Sequence, residues 1–238
     1  MAGGRRLVVG DIHGCMKQLE AVLSKSSFDP GRDTLHALGD FCDRGHENLA
    51  VIGFLMSLDG LVAVAGNHDM FLMDYLYGGE ESRHWVERCG GDVTYRQFRA
   101  LDGTRKADVA DWLCSWPSAI VADTYIMVHG GIPSGWSIDD LLSCQNAARP
   151  HDSTLDRGGD LAWDRLYFAS ALAFSRGSAN PPLAPFDTDK TIFVGHTPTD
   201  DGLPFFCPHY HLVALDTGCG DGGSVTLMDM DSLEYWQA

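Results

Sequence analysis

Short, largely apolar runs alternate with stretches of helical spacing through the first third of the chain. Residues 7–9 (Leu-Val-Val) are apolar on both faces, the pattern of a strand buried inside a layered fold, and the largely apolar segments 34–38 and 61–65 read as strands too. After the first run, residues 15–24 place Met16, Leu19, Val22 and Leu23 on one helical face. After the second, a helix is predicted over 47–58, with Leu49, Ile52, Phe54 and Leu55 as its apolar positions. After the third comes a helical run through Phe71, Leu72 and Leu76. Helical spacing continues over 78–117, where Trp85, Val86, Tyr95, Phe98, Leu101, Trp112 and Leu113 are core or capping positions. Four further strands are predicted at 125–128, 191–194, 212–215 and 224–228, the last two antiparallel. Residues 146–190 are rich in Pro, Gly, Asp and Ser and read as a long loop or flap, with 161–168 apolar enough to pack against the body. Alternating strands and helices without a linker or repeat predict an α/β (α+β) protein with one domain spanning residues 1–238.

Composition narrows the class. A net charge of −16 argues against nucleic acid as a partner, because phosphate backbones are held by clustered Lys and Arg. Such a chain still binds phosphate esters if cations sit in its cleft. No apolar stretch is long enough to span a bilayer, and nothing at the N-terminus resembles a signal peptide. Seven cysteines without CxxC spacing fit a reduced, cytoplasmic protein with mostly buried free thiols.

The chemistry lies where the apolar runs end. Each predicted strand of the main series is followed at once by glycine and ligand-type side chains: Asp11 and His13, Asp40, Asn67, His129, and His196. Imidazole, carboxylate and carboxamide together suit first-row divalent ions such as Mn, Fe or Zn better than Ca or Mg alone. Six protein ligands are too many for one catalytic ion, but suit two ions about 3.5–4 Å apart that share a carboxylate. The densest stretch, Gly39-Asp40-Phe41-Cys42-Asp43-Arg44-Gly45, adds an arginine whose planar fork of donors fits a phosphoryl group. Rival chemistries lack their residues. No cysteine is followed six positions on by an arginine, no Gly-Lys pair offers a P-loop, and the glycines at 218–222 miss the dinucleotide-binding spacing.

Taken in order, Gly10-Asp11-Ile12-His13-Gly14, the 39–45 stretch, Gly66-Asn67-His68-Asp69, His129-Gly130-Gly131 and Gly195-His196-Thr197 resemble the signature of the phosphoprotein-phosphatase branch of the metallophosphoesterases. The chain is most similar to its compact bacterial and phage serine/threonine phosphatases. The resemblance implies a calcineurin-like sandwich of two sheets between helical layers, with two divalent ions, Mn²⁺ first and Fe or Zn next, at the strand ends. It implies that Asp11, His13 and Asp40 hold one ion and that Asp40, Asn67, His129 and His196 hold the other, with Asp40 as the bridge. A bridging water would be activated as hydroxide for in-line attack on phosphorus. His68 would be the general acid, Asp43 its orienting partner, and Arg44 the phosphoryl clamp. Arg165, in Trp163-Asp164-Arg165, lines up with a second phosphate-binding arginine. The pattern departs at Ala65, where many relatives carry another arginine.

Two substrates follow from the resemblance. A phosphorylated protein ranks first, because Asp43 is present and the middle region is short. A dinucleoside polyphosphate ranks second, because Leu215-Asp216-Thr217-Gly218-Cys219 and the following Gly222-Gly223 are similar to the tail of the symmetrical diadenosine tetraphosphatases.

Overall fold

The computed structural model describes residues 4–78, 83–146 and 158–238. The largely apolar strands are buried on both faces because two sheets pack against each other and each carries helices on its outer side. In β1 (Arg6–Val9), Leu7 and Val9 enter a helix-covered core while Val8 faces the opposite sheet. The same alternation holds in β5 (Tyr125–Val128), where Ile126 and Val128 turn outward and Tyr125 and Met127 turn inward. In β6 (Thr191–Val194), Phe193 points inward between Ile192 and Val194.

The first sheet is built on β1, β2 (Thr34–Ala37) and β3 (Val62–Ala63), all parallel, with helices α1 (Met16–Lys25), α2 (Asn48–Met56) and α3 (Asn67–Leu76) following them. Three short helices, α4 (Arg83–Arg88), α5 (Asp92–Arg99) and α6 (Gly103–Cys114), continue that layer, as the 78–117 spacing predicts. The second sheet begins with β4 (Ala119–Val121) beside β5 and continues through β6. It is covered by α7 (Ile138–Asn146), α8 (Gly158–Trp163) and α9 (Leu166–Ser175). The strand order is β10-β9-β1-β2-β3 in one sheet and β4-β5-β6-β8-β7 in the other. Here β7 is Phe205–Cys207, β8 Leu212–Ala214, β9 Thr226–Asp229 and β10 Tyr235–Gln237. This is the expected two-sheet sandwich flanked by helices.

Three expectations change. The two C-terminal strands predicted at 212–215 and 224–228 join different sheets. β8 runs parallel to β6, whereas β9 runs antiparallel to β1. Periodicity reports that a strand is buried, and it carries no information about its partner. Strands β4, β7 and β10 have only three residues each, too short for an alternation to register. The 146–190 segment is not chiefly a loop, because α8 and α9 occupy 158–163 and 166–175. In α9, Tyr167, Phe168 and Ala171 bury against the second sheet, and the Pro- and Gly-rich flanks obscure that helix in the sequence. Residues 147–157 of the expected flap lie outside the described residues.

One buried contact ties the sheets together and sets an acid limit. His36 Nε2 on β2 meets the Tyr125 hydroxyl on β5 at 3.0 Å. Burial lowers the His36 pKa to about 4. The unfolded chain, with histidine at its ordinary value, therefore binds this proton first as pH falls. The stabilisation is fully present above pH about 6.5 and drains away as pH falls toward about 4, up to about 3 kcal/mol. Urea unfolding in chelator at pH 7.5 and 4.5 should show wild type losing roughly 2–3 kcal/mol more than His36→Phe over that interval. Equal losses in the two proteins would remove His36 as the cause.

Candidate metal centre and active site

The parallel strands of both sheets end on the same edge of the sandwich, and the candidate residues collect there. Asp11 and His13 leave β1, while Asp40, Asp43 and Arg44 leave β2. Asn67 and His68 open α3 directly after β3, so they are helical rather than part of a preceding turn. His129 follows β5, and His196 follows β6. Asp11, His13, Asp40, Asp43, Asn67, His68, His129 and His196 are all buried.

Asp40 is the centre of the group. Its Oδ2 lies 3.2 Å from His129 Nε2 and 3.6 Å from His13 Nε2. Its Oδ1 accepts the His68 backbone N–H at 3.0 Å. His129 donates Nδ1–H to the Leu38 carbonyl at 2.6 Å, and His13 donates Nδ1–H to the Cys42 carbonyl at 2.8 Å. A backbone acceptor on Nδ1 turns Nε2 of each ring toward the carboxylate, as metal-binding imidazoles are commonly held. Asn67 Oδ1 sits 3.1 Å from His129 Nε2, and both oxygens of Asp11 accept the His196 N–H at 3.1 Å.

Ligand-type atoms of Asp40, His129 and His196 all lie within 4.8 Å of one another, as do those of His13, Asp40 and His68. His13 Nε2 and His196 Nε2 are buried without a hydrogen-bond partner. Two buried lone pairs left unmet beside carboxylates are what divalent cations would satisfy, so the residues present fit the metal ions that the motifs imply. The electrostatics agree. Burial holds the His13 imidazole neutral, with its pKa lowered to about 3, and does the same for His196, lowered to about 2. For His129, burial is outweighed by the Asp40 carboxylate, and its pKa rises to about 10. In the absence of a cation this imidazole keeps a proton, whose place a metal ion would take. Burial also pushes the Asp11 carboxyl well up, with Asp216 adding to the effect.

His68 occupies a different setting from the other rings. Its Nδ1 lies 2.6 Å from Asp43 Oδ2, and its Nε2 lies 3.3 Å from Arg44 Nη2 and 4.0 Å from Asp40 Oδ2. Burial lowers its pKa, but Asp40 and Asp43 together outweigh that and leave it above the ordinary histidine value. A cationic guanidinium at Nε2 is a poor neighbour for a metal ligand and a good one for a group that hands a proton to a phosphoryl ester. Arg44 also reaches Asp221 at 3.5 Å. Arg165 stands beside the His196 turn, donating from Nη1 to the His196 carbonyl and the Thr197 hydroxyl, each at 3.3 Å. Ala65 is buried, with its N–H on the Pro117 carbonyl.

Several contacts at this centre carried no expectation. Asp69 accepts the backbone N–H groups of Asp40 (2.7 Å), Phe41 (2.9 Å) and Gly66 (2.9 Å), locking the turn after β2 onto the start of α3. In sequence it reads as an ordinary first-turn acid of a helix. Asp43 is held by Trp85 Nε1–H at 2.7 Å and by its own N–H on the Thr94 hydroxyl at 3.0 Å. Asp216 is buried with Oδ2 unpartnered. The glycines are there for room. A Cβ on Gly66 would stand 2.1 Å from Asp40 Oδ1, and one on Gly195 would stand 2.1 Å from Asp11 Oδ1. Five of the eight non-glycine residues with positive φ among the described residues are His13, Asp40, Asp43, Arg44 and His196. Backbone strain of this kind concentrates where a site dictates side-chain direction.

Known proteins share this architecture. A relative from Pseudomonas fluorescens (strain SBW25), described as "Bis(5'-nucleosyl)-tetraphosphatase, symmetrical", is 30% identical over 274 aligned positions, covering 96% of this chain and 92% of its own. Among solved structures, a candidate diadenosine tetraphosphatase superposes with a TM-score of 0.67 at 21% identity over 100% of this chain and 94% of its own. A cold-active protein-tyrosine phosphatase from a psychrophilic Shewanella superposes with a TM-score of 0.63 at 19% identity over 99% and 80%. At those identities the two structures speak for the fold alone. Divalent metal ions are implied for the whole group by the name metallophosphoesterase. The family profile described as "Calcineurin-like phosphoesterase" matches residues 4–227. A match of that extent takes in every strand end that carries a candidate ligand, and the chain belongs to the calcineurin-like phosphoesterases.

Proposed function

We propose that the chain is a symmetrical dinucleoside tetraphosphatase, hydrolysing its substrate between the two central phosphates to give two nucleoside diphosphates. The observation that carries this reading is the likeness to the Pseudomonas tetraphosphatase over more than nine-tenths of both chains. The segment Leu215-Asp216-Thr217-Gly218, placed by the structure beside Gly10 and the candidate ligand Asp11, supports it. The order of substrates drawn from Asp43 and the short middle region is thereby reversed.

In this reading Asp11, His13 and Asp40 would hold one ion and Asp40, Asn67, His129 and His196 the other, with manganese, iron or zinc matching the donors. Such ions supply Lewis acidity at the phosphoryl oxygens and a water acidic enough to attack at neutral pH. Arg44 releases His68 and Asp221 to grip the phosphoryl oxygens, and Arg165 adds a second guanidinium from the His196 side. His68, oriented by Asp43, gives the proton on Nε2 to the leaving oxygen.

One observation favours a second reading. A nucleoside diphosphate leaves as a phosphate oxyanion and needs little help from an acid, whereas a serine or threonine side chain leaves as an alkoxide and needs a proton. The tight His68–Asp43 pair, 2.6 Å apart and buried, suits the harder case and a protein phosphatase. A substrate panel on protein loaded with Mn²⁺ separates the two. Diadenosine tetraphosphate is expected to be cleaved with a higher kcat/KM than phosphoserine, phosphothreonine or phosphotyrosine peptides, giving ADP as the sole nucleotide product. Preference for a phosphopeptide, or release of ATP and AMP, would overturn the proposal.

A further inference from the structure

Trp163, 46% exposed as a residue, closes α8 directly beside the candidate metal centre. Its ring stands edge-on to the His196 imidazole at 5.9 Å and edge-on to Phe71 at 5.7 Å. Phe71 is held in turn by Trp85, stacked at 6.4 Å and 19°, and it meets His68 edge-on at 6.2 Å. One aromatic surface therefore runs from His196 through Trp163 and Phe71 to the neighbourhood of the candidate general acid. Core packing accounts for Trp85 and Phe71 but not for Trp163, a large apolar residue left exposed where burial would have been favourable.

We propose that Trp163, backed by Phe71, is the stacking platform for a nucleobase of the substrate, purine in preference to pyrimidine. The proposal rests on the dinucleoside tetraphosphate reading. When such a molecule is cut at its centre, the base on the attacked side is separated from the attacked phosphorus by one further phosphate and a ribose, and the other base by two phosphates and a ribose. A base-binding surface must then lie beside the metal centre rather than within it, and Trp163 borders the His196 side of that centre. Arg165, two residues on, stands on the same side and reaches the His196 carbonyl, where it meets the phosphates that precede the base. A ring face offers stacking to any base and grows with the area of overlap, hence the preference for purines.

The test compares wild type, Trp163→Ala and Trp163→Phe, all loaded with Mn²⁺, on diadenosine tetraphosphate and on inorganic tripolyphosphate, which has no base. In Trp163→Ala the KM for diadenosine tetraphosphate, taken relative to that for tripolyphosphate, is expected to rise roughly 10- to 100-fold. Trp163→Phe should recover most of the loss. ADP should quench tryptophan fluorescence in wild type and lose most of that effect in Trp163→Phe. If wild type cleaves diadenosine tetraphosphate and the KM ratio of Trp163→Ala is unchanged, the platform is overturned while the substrate reading stands. If wild type does not cleave it, the substrate reading falls and takes the platform with it.

Discussion

Asp40→Asn protein is expected to fold, to carry neither metal ion after purification, and to lose activity by roughly 10³-fold or more, the several kcal/mol that metal ions contribute at about 1.4 kcal/mol per decade. The reason is directional. Oδ1 of Asp40 accepts the His68 backbone N–H, so the carbonyl oxygen of an asparagine must take that place. Its NH₂ is then forced onto the side now occupied by Oδ2, facing His129 and His13. A donor stands where the two half-sites would share an acceptor, so one loses its only carboxylate and the other keeps Asp11 alone. Asparagine is nearly the same shape, so packing around Asp40 should survive. Elemental analysis of wild type and variant, with circular dichroism as the control for folding, checks this. Asp11→Asn would be expected to empty one site and weaken the other less, because Asp11 belongs to one ligand group only. A variant Asp40→Asn that retained two ions and turnover would sink the shared-carboxylate arrangement.

Much of that centre was legible in sequence because two independent patterns coincide. Strands such as Leu7–Val9 and Thr191–Val194 are apolar on both faces since a second sheet covers one side and helices the other. Charged and imidazole side chains directly after such strands, each with glycine beside it, have little structural reason to be there. What stayed illegible acts across distance or through conformation. Trp85 and Thr94 fix Asp43 from 42 and 51 residues away, in helices whose sequence shows only ordinary core spacing. The positive φ at Asp40, Asp43 and Arg44 has no signature, since none of these is glycine. Asp69 looks like a helix-start acid although it clamps three amides around the site. The choice of substrate is not legible in the site residues either. Asp43 stands ready to orient His68 in either reading, whereas the likeness that favours a dinucleoside polyphosphate is spread over the whole chain.

His68 is the sharpest probe of mechanism. His68→Asn should leave metal content close to wild type, because Nδ1 is committed to Asp43 and Nε2 faces Arg44. On a phosphoserine or other alkyl phosphate, loss of the acid should lower kcat by roughly 10²–10⁴. On diadenosine tetraphosphate or p-nitrophenyl phosphate the loss should be much smaller, since their leaving oxygens are stable as anions near neutral pH. The acid limb of the pH–rate profile should be little affected, but the alkaline limb, where wild-type His68 gives up its proton, should vanish for alkyl phosphates. The folded His68 pKa is raised, so that limb lies above the ordinary histidine value in wild type. Asp43→Asn should move it down, because the carboxylate that favours the imidazolium is gone. Equal losses in His68→Asn for alkyl and nitrophenyl esters would instead assign the ring to binding. A fall in metal content would place it among the ligands, alongside His13 and Asp40, with which it shares a cluster.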